Sequence, residues 1–330
     1  FFFKQKTAYE IRNCDWSSDV CSSDLKPATA LVIFSEAVTG VTVDNLSIKY
    51  NDSVVDTPEA LHIADNGDGV FWNITGLDSA FTVDGTYTLE LLSDGIVDVD
   101  SSDGSTGLTN DPTRTVVLDT TPPSMPSNLH LVDGSDSGQK GDNRTNNTTP
   151  RIEGHADPGL RVDLFTNNSY QDSVYADDSG NWLYDFPSLN DGTYDITARS
   201  GDSAQNYSDV TDPLTITIDT VPFGTPSQPV LDAGSDSGDL GDQITNVTTP
   251  LITGTADVGS TIVFYVNDVE INNTATTLND GTWSYQFSNL EDGIYHIVAR
   301  SSDTAGNRSG FSSELTIEID TVADRKSTRL

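Results

Sequence analysis

The 330-residue chain is poor in cysteine (two), methionine (one) and histidine (four), and against 51 Asp and Glu it sets only 16 Lys and Arg. Each shortage excludes a class of function. With a formal net charge of -35, the chain would be repelled by nucleic acid or an anionic membrane surface, so neither is expected as a partner. His62, His130, His155 and His296 neither repeat nor stand near a second ligand at useful spacing, which leaves zinc chemistry and Ser-His-Asp catalysis unsupported. There is no Gly-rich phosphate loop and no HExxH, so no enzyme is expected. No apolar run reaches the roughly 18 residues of a membrane span. The opening FFFKQKTAYE turns polar too early for a signal peptide, so any export signal is expected outside this sequence. What remains is 35% hydrophobic and 8% aromatic, enough for two or three small cores at this length.

The dominant pattern is an internal repeat. LDTTPP at 118–123 returns as IDTVP at 218–222 and IDTVA at 319–323, placing Asp119, Asp219 and Asp320 about 100 residues apart. Between them GSDSG, TTP, Gly-x-Ala, a tryptophan, DGxY and a final Asp-x-Ala-x-Asn recur in order. Two homologous modules are therefore expected at 121–220 and 221–323. Segment 26–120, with Trp72 followed by DGTYTLEL, reads as a divergent third module.

Within each module the period is two. GTWSYQF puts Trp283, Tyr285 and Phe287 on one face, and ELTIEID does the same for Leu315, Ile317 and Ile319. Asn, Asp and Gly clusters separate such runs and no long window has helical spacing. About seven short strands per module predict an all-β fold of tandem immunoglobulin-like Greek-key β-sandwiches. Closely spaced modules with prolines at 122, 123 and 222 predict an elongated rod.

On these residues the modules from about 121 to 322 resemble the bacterial Ig-like repeats of large secreted surface adhesins and biofilm-associated proteins. The marks are DTxxP at Asp119 and Asp219, Gly154 with Ala156, Gly254 with Ala256, DGxY at 191–194 and 292–295, and DTAGN at 303–307. Segment 26–120 resembles a second Ig-like type from the same class of proteins. The resemblance implies tandem arrays, an extracellular location at a bacterial surface, further repeats of the same chain as neighbours, and calcium at the module junctions. Gln205 departs from the pattern where the second repeat has Gly306, and is expected to distort its loop and weaken any calcium site there.

The carboxylates carry the chemistry. Calcium takes six to eight hard oxygens, roughly, from carboxylates, amides and backbone carbonyls. The candidate ligands are Asp119, Asp219 and Asp320 at the module ends, Asp202 with Asn206 and Asp303 with Asn307 in matching loops, and Asp136 and Asp236 in the SDSG loops. Solvated turns explain the same residues, since Asp is also a good turn former. Trp72, Trp182 and Trp283 occur once per module at the start of an alternating strand and are expected in the cores rather than on a sugar platform. Asn-x-Ser/Thr triplets at Asn73, Asn147 and Asn246 say little in so Asn- and Thr-rich a chain.

Three functions follow: a structural spacer of a surface or secreted adhesin, an adhesive module for a surface glycan or protein, or a non-catalytic appendage of a secreted hydrolase. An aromatic or polar cluster in one module alone would favour the second.

The ends differ from the rest. The tail DRKSTRL is basic, and one coding of it, GATCGGAAGAGCACACGTCT followed by G, has a reverse complement that reads Asp-Val-Cys-Ser-Ser-Asp, the sequence from Asp19 to Asp24. Segments 1–25 and 324–330 thus resemble translated sequencing adapter and are expected to be artefactual, the first of them disordered. Both cysteines, Cys14 and Cys21, fall in it, so the sandwiches are expected to hold together without disulfides, and both natural ends to lie elsewhere.

Overall fold

The structure, a computed structural model, describes residues 8–12, 28–99, 111 and 113–322; Cys14, Cys21 and the segment 324–330 lie outside the described residues. It is almost entirely β, an elongated series of sandwiches with three separate apolar cores, running from Ala30 to Leu118, from Leu131 to Ile218 and from Leu231 to Ile319.

The second and third sandwiches share one topology. In the second, Ser127–Leu131, Arg151–His155 and Asn181–Asp185 form a three-stranded sheet. The facing sheet runs in the order Arg144–Thr145, Leu214–Ile218, Gly192–Gly201, Arg161–Thr166, Ser169–Tyr175. The chain crosses between the layers, the Greek-key connection expected. The short Arg144–Thr145 strand pairs parallel to Leu214–Ile218, an element of two residues too short to show as a period in the sequence.

Alternation decides which side chains fill the cores. In Leu315–Ile319, Leu315, Ile317 and Ile319 are buried while Thr316 and Glu318 face water. Trp72, Trp182 and Trp283 are all buried, as core residues should be. The Gly-x-Ala mark has a steric cause: a Cβ on Gly154 or Gly254 would stand 2.4 or 2.3 Å from Cζ2 of Trp182 or Trp283. The DGxY tyrosine also has a defined task. Tyr87, Tyr194 and Tyr295 each donate a hydrogen bond to a carbonyl four residues upstream, Val83 O at 3.0 Å, Asn190 O at 2.9 Å and Glu291 O at 3.0 Å, the tyrosine corner of Ig-like folds.

The first sandwich is built differently. One sheet holds Ala8–Arg12, Thr29–Phe34, Phe71–Thr75 and His62–Asp65, the other Thr113–Leu118, Gly85–Leu91, Leu46–Tyr50 and Ser53–Val54. The strand Ala8–Arg12 corrects the expectation that the whole opening segment is disordered, because it pairs antiparallel with Thr29–Phe34. The physical reason is the edge of Thr29–Phe34, a row of main-chain donors and acceptors that an extended segment satisfies regardless of its origin.

Candidate functional site at the module junctions

The linker aspartates end the last strand of each sandwich and are fixed the same way three times. The Asp119 carboxylate accepts from Thr121 N at 3.0 Å, Asp219 from Val221 N at 3.1 Å, and Asp320 from Val322 N at 2.9 Å. The following threonine is held by a second carboxylate: Thr120 by Asp84, Thr220 by Asp191 and Thr321 by Asp292. Asp84, Asp191 and Asp292 went unnoticed as junction residues. Their signal was present, since each is the Asp of a DG pair in all three modules.

Across each junction, the expected residues converge on the linker. Asn206 donates through Nδ2 to Asp119 O at 3.0 Å and to Asp202 Oδ2 at 3.0 Å. Asn307 repeats this with Asp219 O at 2.7 Å and Asp303 Oδ2 at 2.9 Å. Each junction therefore gathers a linker Asp, a loop Asp and a loop Asn. Asp219 carries one more partner, the Arg144 guanidinium at 3.2 Å from its Oδ2. The candidates Asp236 and Asp320 lie together at the far end of the third sandwich, where Asp320 N bonds Thr245 O at 2.9 Å beside the SDSG loop.

Gln205 does not distort its loop. It takes a φ of 59°, in the left-handed region where Gly306 has 86°, and both loops close with the same hydrogen bonds, Gln205 N to Asp202 O and Gly306 N to Asp303 O, each 3.2 Å. The difference lies in packing. Around Gly306 the SDSG loop of the second sandwich docks: Ser137 Oγ donates to Ala305 O at 2.5 Å, and Gln139 N to Thr304 O at 2.9 Å. A Cβ on Gly138 would sit 2.2 Å from Thr304 O, and one on Gly306 would sit 2.8 Å from Gly138 N. Two glycines thus permit the backbones to touch. Beside this contact is a cleft of about 460 Å3 lined by Gly138, Gln139, Thr261, Val263, Asp303 and Arg308. Arg308 is anchored by Glu270, whose carboxyl the guanidinium, and after it the Tyr265 hydroxyl, hold below the ordinary value of 4.5.

The SDSG loops supply the atoms that matter for a cation. Asp136 Oδ2 and Asp236 Oδ2 accept from Gly141 N and Gly241 N, both at 2.6 Å. Their Oδ1 atoms are buried with no hydrogen-bond partner, and Asp136 as a whole is only 3% exposed. A buried carboxylate oxygen without a donor is costly, and a bound cation is one way to offset it. The donor set fits calcium, which is held by carboxylate, amide and backbone oxygens. Among the described residues no three His, Cys, Asp or Glu side chains already converge as a metal site.

Polar end loops join Ig-like sandwiches in series, the arrangement of a tandem repeat segment. The chain belongs to the bacterial Ig-like domain family, which matches it over residues 121–220 and 224–321, more than half its length. It is thus a segment of tandem bacterial Ig-like domains. Among solved structures it is similar to the fibronectin(III)-like modules of Clostridium thermocellum CbhA, with 14% identity over 58% of this chain and 94% of that one and a TM-score of 0.40. It is similar to the I-band fragment I67–I69 of titin at 11% identity, over 98% of each chain, with a TM-score of 0.32. A tetra-tandem repeat from the extending region of a large adhesion protein shares 18% identity over 92% of this chain and 73% of that one, with a TM-score of 0.25. No curated protein matches the chain. Among the described residues no helix is long and apolar enough to cross a membrane.

Proposed function

We propose that this is a structural spacer of a bacterial adhesin, with modules at 26–120, 121–220 and 221–323, and that calcium stiffens it at the junctions. The observation that carries the reading is the pair of buried, partnerless oxygens, Asp136 Oδ1 and Asp236 Oδ1, in loops adjoining the linker aspartates. Asp136, Asp219, Asp303 and Asn307 would hold the ion between the second and third sandwiches, and Asp119, Asp202 and Asn206 that between the first and second. The bound ion supplies positive charge where like charges meet. In a chain of net charge -35 that relieves repulsion between neighbouring ends and makes the folded, straight form favoured by mass action.

The test is thermal unfolding and small-angle scattering of residues 26–322 in calcium and in chelator. Calcium should raise the melting temperature and lengthen the maximum dimension, and Asp136→Asn with Asp236→Asn should abolish most of the rise. Identical melting and identical scattering in the two buffers would refute the calcium reading and leave the spacer as a rod held by direct contacts.

A further inference from the structure

On the outer side of the second sandwich's three-stranded sheet is a cleft of about 480 Å3, with no candidate calcium ligand in its lining. Its origin is a β-bulge. The edge strand Ser127–Leu131 pairs Ser127 with His155 and His130 with Glu153, so it carries an extra residue there, and Asn128 takes a φ of 55°. A bulge re-aims side chains and interrupts the row of main-chain donors and acceptors, which makes this edge a poor template for an incoming peptide strand.

Trp182 lies in the lining, and its buried Nε1–H has no hydrogen-bond partner. His130 is locked in place, with Nδ1 2.7 Å from Asn128 O and Nε2 2.8 Å from a Glu153 carboxylate oxygen. The side-chain amides of Asn128 and Asn181 make no hydrogen bond within the described residues. Beside them the Tyr175 ring is 70% exposed and Leu183 54% exposed.

The geometry points to a binding site for a neutral saccharide. Unengaged planar amides, which donate and accept in pairs, match vicinal hydroxyl groups, and an exposed aromatic residue beside an aliphatic side chain matches the C–H face of a pyranose. Glu153 and Asp177 in the lining, on a chain of net charge -35, select against uronate, sulfated or sialylated sugars.

The third sandwich gives the internal comparison. Its same frame carries Gln228, Val230, Thr253, Thr255, Thr276 and Thr282 at the corresponding places. Gln228 is engaged, donating to Glu314 O at 2.6 Å, and has no left-handed φ. Trp283 Nε1 is also buried without a partner, and Ser227 N bonds Thr255 O while Val230 pairs with Thr253, the same offset, so neither the indole nor the register distinguishes the modules. The left-handed Asn128 and the polar, aromatic lining do.

The experiment screens the full chain against an array of neutral oligosaccharides of glucose, galactose, mannose and N-acetylglucosamine, with sialylated and uronate-containing glycans alongside. Hits are then titrated by NMR. At least one neutral oligosaccharide should bind and shift the Trp182 indole resonance, with none of the acidic glycans bound as well. Tyr175→Thr with Asn181→Thr, the residues the third sandwich already accommodates, should weaken binding by about tenfold or more with unchanged melting. Absence of any neutral hit, equal binding of acidic glycans, or equal affinity of the double variant would each overturn the proposal. Because none of the lining residues is a candidate calcium ligand, these outcomes are read separately from the calcium test.

Discussion

The two junctions use the same linker lock and differ in what surrounds it. At both, an asparagine from the following sandwich ties the linker carbonyl to an aspartate of its own loop. Between the second and third sandwiches, Gly138 and Gly306 let two backbones meet, and Thr261 and Val263 line the neighbouring cleft. On the second sandwich, at the position of Gly306, stands Gln205. In place of Thr261 and Val263 are Arg161 and Asp163, and the buried Asp163 is paired with Arg161 at 3.0 Å and Arg199 at 3.1 Å. Arg199 in turn lies over the Tyr207 ring at 3.9 Å. One joint is therefore closed by backbone contact, while the corresponding face at the other presents ionic and aromatic side chains. A shared hydrogen-bond motif sets where modules join, and the residues around it set how firmly.

The largest effect is expected from Gly138→Ala. Its Cβ would press against Thr304 O, Gly306 N and Ala305 C, backbone atoms with little room to yield. Small-angle scattering should show a bent or flexible second joint. Gly238→Ala is the control: its φ of 83° is similarly strained, but nothing lies within 4 Å of the new Cβ, so it should cost only the backbone strain, about 1 kcal/mol, and leave the shape unaltered. Equal shape changes in the two variants would mean that the Gly138 contact does not hold the joint.

Next is the asparagine lock. Asn307→Ala and Asn206→Ala each remove a linker hydrogen bond and should lower stability by about 1 kcal/mol in denaturant unfolding. The loss should be greater for Asn307, because the docked SDSG loop of the closed joint depends on the same loop conformation. Gln205→Gly should act the other way, stabilising the second sandwich by up to about 1 kcal/mol by relieving a left-handed non-glycine residue.

The smallest effect is electrostatic. Glu270 has its folded carboxyl lowered by Arg308 and Tyr265, so its contribution is fully present above the ordinary value of 4.5 and is lost as pH falls through the folded one. The pair is exposed and its stabilisation small. Stability followed downward through this window should fall less steeply in Arg308→Ala than in the unaltered chain, and parallel curves would remove Glu270 from the account.

Much of this architecture was legible in residue patterns. Period-two alternation foretold the strands of Thr282–Gln286 and Leu315–Ile319, and the recurrence of DT and Asp-x-Ala-x-Asn pointed to residues that meet at the joints. The tryptophans were legible as core because each begins an alternating strand. Less visible were residues whose meaning depends on a partner distant in sequence. Asp84, Asp191 and Asp292 look like ordinary turn aspartates until the linker threonine folds back on them. Gly138 looks like a turn glycine until Ala305 and Gly306 arrive against it. The buried Asp163 sits in a strand whose counterpart in the next sandwich, TIVFYV, carries no charged residue.

The sequence by itself determined the all-β sandwiches, their repetition, the acidic surface and the positions of the linker residues, because periodicity and turn chemistry act over a few neighbouring residues. Only the tertiary structure decided the contact of Gly138 with Gly306, the partnerless Asp136 and Asp236 oxygens and the bulged cleft over Trp182. Those depend on exclusion of water and on distances between segments far apart in the chain, which no local pattern records.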